Sequence, residues 1–198
     1  MADFYHGFPV ARSLTVVVPR SGRRGMVTGR ALSAGGATVL VAIGEHATVD
    51  DLYGEWIMVH ELLHLGQPFT PEAWWLTEGM ATYIEPLLRA RKGWRSPGSV
   101  WRDFHRDMHR GRAALDRGLL NGSGNAYWSG ALFMFLADME IRRYSRGRRG
   151  IEDCLRAILR DGGDATVRWS AERSVASCDT LLGKPILGDM LERYGRKG

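Results

Sequence analysis

No stretch of the 198-residue sequence approaches the roughly 18 to 20 consecutive apolar residues that cross a bilayer, so no membrane contact is expected of it. The opening residues, MADFYHGFPVARS, hold no apolar signal-peptide core. Cysteine occurs only as Cys154 and Cys178, a spacing that fits neither a zinc knuckle nor a redox Cys-x-x-Cys. Both fall on helical patterns, which allows a disulfide, favoured in oxidising locations, or two buried thiols. Internal repeats, linkers and low-complexity segments are also absent. Nor does one sign of charge dominate: 27 Lys and Arg face 22 Asp and Glu, a formal net charge of +5. Arginines cluster at 20–30, 89–95 and 142–149, but at Gly- or Ser-rich turns and helix ends, without the interleaved aromatics of a single-strand binder or a recognition helix. Arg89, Arg91, Arg142 and Arg143 sit where a helix C-terminus favours a cation. Solvated helix ends are therefore expected, and no nucleic-acid partner.

What the chain does hold is a globular composition, 44% hydrophobic and 25% charged, with length enough for one large domain and its core. The β-branched runs LTVVVP, GMVTGRAL and ATVLVAIG, separated by Gly- and Arg-rich turns, read as three strands of a small N-terminal sheet. From about residue 49 the pattern turns helical. A first helix is expected over Val49–Leu65 behind an Asp50 N-cap, ended by Gly66 and Pro68, and a second over Thr77–Arg91. A basic helix follows over Ser99–Leu115. The Gly-rich loop LLNGSGN leads into a mostly apolar helix over Tyr127–Tyr144, and three shorter helices carry no recognisable chemistry. The expected class is α+β, a small sheet packed on a mainly helical lobe, with a β-rich part at about 1–48 and a helical part at about 49–198.

The first helix contains His60-Glu61-Leu62-Leu63-His64. Residues four apart lie one turn apart on one helix face, so His60 and His64 can aim both imidazoles at one metal ion. Glu61, about 100° around the helix, can act on a water there without being a ligand. A catalytic zinc needs a third protein ligand and one open position, and Glu78 on the next helix is the obvious third. Glu85, seven residues on and on the same face, is a candidate to hydrogen-bond the far nitrogen of a liganding histidine, or else an exposed surface charge. A second pair, His105 and His109, has no Glu after the first His and sits among Arg102, Arg106, Arg110 and Arg112, so it reads as a solvated face.

Taken together, HELLH, then WLTEGMATYIE, then AYWSGALFMFLADMEIR resemble the gluzincin metallopeptidases, in particular their aminopeptidase-like families, where HExxH, an EG-containing helix and Tyr-x-x-Gly occur in that order. The resemblance covers most of the chain and implies a thermolysin-like catalytic domain with zinc in the cleft between sheet and helices. It makes His60, His64 and Glu78 the Zn2+ ligands, Glu61 the general base and Tyr127 the transition-state stabiliser. Without the motif, Tyr127 would read as an aromatic plug at the helix start. The resemblance implies a peptide or protein substrate, and one catalytic domain excised from a longer protein. Two departures stand out: only thirteen residues separate His64 from Glu78, and there is no GxMEN-like element to hold a substrate amino terminus. The last strand before the zinc helix, with Val41, Ile43 and Gly44, is expected to bind substrate as an edge strand; the alternative is a buried core strand, since Val39, Val41 and Ile43 alternate with small residues. A non-catalytic zinc- or peptide-binding domain is the rival reading.

Overall fold

Three β-rich runs form the strands β1 (Leu14–Arg20), β2 (Met26–Leu32) and β3 (Thr38–Gly44), within a computed structural model that describes residues 1–33, 36–118 and 126–195. Their order is β1-β3-β2, with β1 parallel and β2 antiparallel to β3. The most apolar run lies in the middle: Val39 and Val41 are fully buried, whereas Leu14 and Val17 on β1 stay exposed. Alternation of large and small residues along β3 suits a strand paired on both sides and covered by a helix.

The expected helix over Val49–Leu65 is two helices, α2 (Val49–Gly54) and α3 (Ile57–His64), following the short N-terminal α1 (Ala2–Tyr5). The N-cap of α2 is Thr48 rather than Asp50. Its hydroxyl accepts from Asp51 N–H at 3.2 Å, and the Asp51 carboxylate accepts from Thr48 N–H at 2.8 Å, a reciprocal capping box. The chain breaks at Glu55, which is extended at φ −84 and ψ 145. The carbonyl of Gly54 is taken instead by the Arg89 guanidinium at 2.6 Å. At its far end α3 is tied to the N-terminus, since Tyr5 O–H donates to the Leu63 carbonyl at 3.1 Å.

After a 3-10 turn at Pro71–Ala73 comes α4 (Trp74–Arg91), one turn longer than its pattern suggests. The basic segment is likewise two helices, α5 (Pro97–Asp107), capped by Ser96, and α6 (His109–Arg117). Then follow α7 (Ala126–Ser145), α8 (Ile151–Arg160), α9 (Ala171–Leu182) and α10 (Ile186–Gly195). Of the two readings of the cysteine pair the disulfide holds, joining α8 to α9 through Cys154 and Cys178. The LLNGSGN segment, 119–125, lies outside the described residues. Two of the arginine clusters are ion-paired: Arg89 with Glu85, Arg91 and Arg142 with Glu152, Arg95 with Asp103, and Arg143 with Glu140.

Two apolar clusters result. One fills the helical lobe around Trp75, Met80, Phe133 and Leu155 and takes Leu63 from α3. The other lies beneath the sheet, where Val39 and Val41 meet Ile57 and Leu65 at the two ends of α3. The helix that carries HELLH is therefore the wall shared by both cores, which leaves one of its faces for the histidines.

Candidate metal centre

His60 and His64 lie on successive turns of α3, and both point Nε2 at Glu78 near the start of α4. The Glu78 Oε2 atom is 3.1 Å from His60 Nε2 and 3.5 Å from His64 Nε2. One donor atom from each residue falls within 4.8 Å of the others. Ligand atoms around a tetrahedral zinc at about 2.0–2.1 Å stand roughly 3.3 Å apart, so these spacings and the N, N, O donor set fit such an ion. Burial pushes the Glu78 carboxyl upward, but hydrogen bonds and positive charge from His60 and His64 outweigh it and hold the carboxyl at about 2. A cation placed between the three would favour the same carboxylate.

Glu61 stands outside that trio. Its Oε2 accepts from the Ala31 N–H of β2 at 2.6 Å, so the carboxylate is moored to the sheet. The approach depends on Gly29: a Cβ there would come within 2.5 Å of Ile57 Cγ2 and 2.7 Å of Glu61 Cγ. Glycine inside a strand commonly marks such a close approach.

Tyr127 lies in the first turn of α7, its ring 6.1 Å from the His60 ring and 6.1 Å from the Trp74 ring. Partial burial, then the charges of Glu78 and Glu61, raise its hydroxyl above the ordinary phenol value, so it stays a proton donor at neutral pH. A helix crossing brings it there. A Cβ on Gly130 of α7 would fall on the Trp75 carbonyl oxygen and lie 2.6 Å from Gly79 Cα of α4. Only a pair without side chains admits that approach, and it sets Tyr127, one turn before Gly130, beside Glu78, the neighbour of Gly79.

These groups border a cavity of about 410 Å³ whose walls include β2 from Gly29 to Leu32 and the following Ser33, together with Glu61, His64, Glu78 and Tyr127. Phe69, Trp74 and Tyr127 stay largely exposed on its rim, an apolar platform beside the polar centre.

Other expectations need correction. Val41, Ile43 and Gly44 belong to β3, which is paired on both sides and offers no free edge; the strand on the cleft is β2. The core-strand alternative holds for β3. Glu85 is buried, not an exposed charge, and its carboxylate accepts from Arg89 Nη1 at 3.2 Å rather than from either imidazole. His105 and His109 fall on different helices, both exposed, and join no metal-competent group among the described residues. Sequence reasoning passed over Arg30, Gln67, Phe69 and Trp74, which all line the cleft. The glycine inside GMVTGRAL was the available signal.

Fold and side chains together define an α+β protein, mostly helical with a three-stranded sheet, that carries a His-His-Glu group able to hold a metal ion. Its fold is similar to that of an aminopeptidase N family protein from Idiomarina loihiensis, known from a crystal structure, with a TM-score of 0.65 and 13% identity. The likeness covers 100% of this chain and 40% of that one, so the chain spans well under half the length of its structural neighbour. No family model and no curated protein matches the sequence.

Proposed function

We propose that the chain is the catalytic domain of a zinc-dependent, gluzincin-type peptidase that hydrolyses peptide bonds with water. The observation that carries this is the pairing of a His60, His64 and Glu78 donor set with a separate carboxylate, Glu61, moored beside it by a strand. Zinc held by those three residues would supply Lewis acidity, lowering the pKa of a water toward about 7 and polarising the scissile carbonyl.

The chain's own groups supply the rest. Glu61 accepts a proton from the attacking water and passes it to the leaving amine, its position kept by the Ala31 N–H. Tyr127 donates its O–H to the carbonyl oxygen as that atom gains charge, from a helix start fixed by the Gly79–Gly130 crossing. An extended peptide adds to the outer edge of β2, and Phe69 and Trp74 offer apolar surface to its side chains.

Elemental analysis joined to a peptide assay tests the reading. One zinc per chain is expected, lost with His60→Ala or His64→Ala and kept with His105→Ala or His109→Ala. Glu61→Gln should retain zinc and lose turnover, since an amide cannot accept the proton. Near-normal turnover in that variant removes Glu61 from the mechanism. Zinc-loaded native protein that cleaves no peptide is a binding domain instead.

A further inference from the structure

We propose that Phe69 and Trp74 form an aromatic wall that selects peptides with a bulky apolar side chain, of leucine or phenylalanine size, within two residues of the bond to be cut. The proposal rests on the peptidase reading and names the substrate class for it.

The segment that joins α3 to α4 carries the argument. Its Leu65 and Ala73 are fully buried, and Thr70 and Trp75 nearly so. Phe69 and Trp74 are the two large apolar side chains of this stretch that turn outward, 49% and 51% exposed. Neither owes its exposure to a loose chain. The Phe69 N–H donates to the Val167 carbonyl at 2.9 Å and the Phe69 carbonyl accepts from the Trp169 N–H at 3.2 Å, so its backbone is fixed from both sides. Trp74 begins α4 between Ala73 and Trp75, both locked into the helical core, and its ring stands edge-on to that of Tyr127. Two aromatic rings held half in water forgo the burial that drives folding. On a backbone this firmly placed, beside a cleft, they are surface kept for a ligand.

Their place relative to the metal-competent group fixes which part of a peptide they meet. Both rings border the cavity shared by Glu61, His64 and Glu78. Trp74 and Glu78 are four apart on α4, hence on one face and about 6 Å apart along the helix axis. Successive residues of an extended peptide are about 3.3 Å apart, so a side chain lying against Trp74 belongs to one of the residues nearest the carbonyl under attack. Leucine gains by leaving water against such a surface, and phenylalanine gains edge-to-face packing besides. Alanine covers too little of either ring. A glutamate would shed water and find no partner on the rings. Lysine can lie over an aromatic face, but a cation held by His60, His64 and Glu78 repels it.

Binding is measured by calorimetry on the zinc-loaded Glu61→Gln protein, which keeps the shape of the site and cleaves nothing. The probes are acetylated, amidated tetra-alanine peptides with Leu, Phe, Ser, Lys or Glu substituted in turn at each residue. At one position Leu and Phe should bind about tenfold more tightly than Ala or Ser, the discrimination of a single well-placed apolar contact, with no gain from Lys or Glu there. Trp74→Ala and Phe69→Ala should each bring the ratio of Leu to Ala affinity toward one, with zinc still at one per chain. Trp74→Phe and Phe69→Leu, which keep an apolar surface, should retain most of it. Rings that serve only the fold would lower Tm on truncation and leave the ratio alone. Equal affinities for Leu and Ala at every position, tightest binding by Lys or Glu, or a preference that survives both alanine variants would overturn the proposal. Hydrolysis by the native protein with no preference for Leu or Phe overturns it while leaving the peptidase standing. Apolar-selective binding with no hydrolysis of any peptide does the reverse.

Discussion

Replacing Gly130 by alanine tests the one contact that places Tyr127. The new methyl would lie 2.6 Å from Gly79 Cα, where ordinary contact begins near 3.4 Å, so α7 has to retreat by about 0.8 Å there and further at the Trp75 carbonyl. Both obstacles are backbone atoms of a packed helix, and neither can rotate away. Overpacking of this kind costs about 1 to 3 kcal/mol, offset by up to about 1 kcal/mol from the better helix former. For a chain of this size each kcal/mol moves Tm by about 2–4 °C, so the net cost corresponds to a loss of up to about 12 °C. Helix α4 is held to α3 through His60–Glu78 and to the α2 end through Arg89, so α7 is the element that shifts and Tyr127 moves with it. Displacement near 1 Å can reduce turnover about a hundredfold. Zinc content should stay at one per chain, because no ligand lies on α7. Gly98→Ala is the control: its Cβ meets only Arg102 Nη1 at 3.5 Å, so it should be neutral or slightly stabilising. Differential scanning calorimetry, elemental analysis and steady-state kinetics on the two variants decide the matter. A Gly130→Ala protein with native Tm and native turnover would refute the claim that this crossing positions the phenol.

Tyr127→Phe should lower kcat by about 10² to 10³ with little change in KM, zinc content or Tm, the mark of a donor that matters most in the transition state; full activity in kinetic assays would leave Tyr127 as packing. Burial of Glu85, only partly offset by the attraction of Arg89, raises its carboxyl from 4.5 to about 6, so the folded chain holds that proton more tightly than the unfolded one. The resulting stability is complete below pH 4.5 and lost as pH rises through 6, about 2 kcal/mol at 1.36 kcal/mol per unit. In urea melts from pH 4 to 7, the stability of the native protein relative to Glu85→Gln should fall by that amount, and a constant difference would show that Glu85 titrates as an ordinary carboxylate.

The elements that could be read from the sequence are those whose signal is local. Strand boundaries came from β-branched runs between glycine turns, and the HELLH geometry from helix period alone. Strand order was not local. β3 leads into α2 and α3, which made an edge position attractive, but its place is set by burial: it has the alternating valines that need cover, while the less apolar β1 leaves Leu14 and Val17 to solvent. The break at Glu55 escaped the helical pattern because its cause is 34 residues away, in the Arg89 side chain that captures the Gly54 carbonyl. Glu85 was misjudged for the same reason: seven residues from Glu78 is the same face, yet by then α4 has passed the histidines and its partner is Arg89. Gly79 and Gly130 stood in plain view, but nothing in either segment announces that they meet.

The metal-competent residues sit on two helices gripped by the helical core, whereas the carboxylate beside them is moored to a strand of the other core. Inheritance can therefore act on the two halves separately. Along β2, position 29 is closed to any side chain and position 31 contributes its backbone, but Arg30 and Leu32 are exposed and anchor neither the helices nor the histidines. Codons 30 and 32 are where a lineage can change the border of the cleft while the metal-competent group is passed on unchanged.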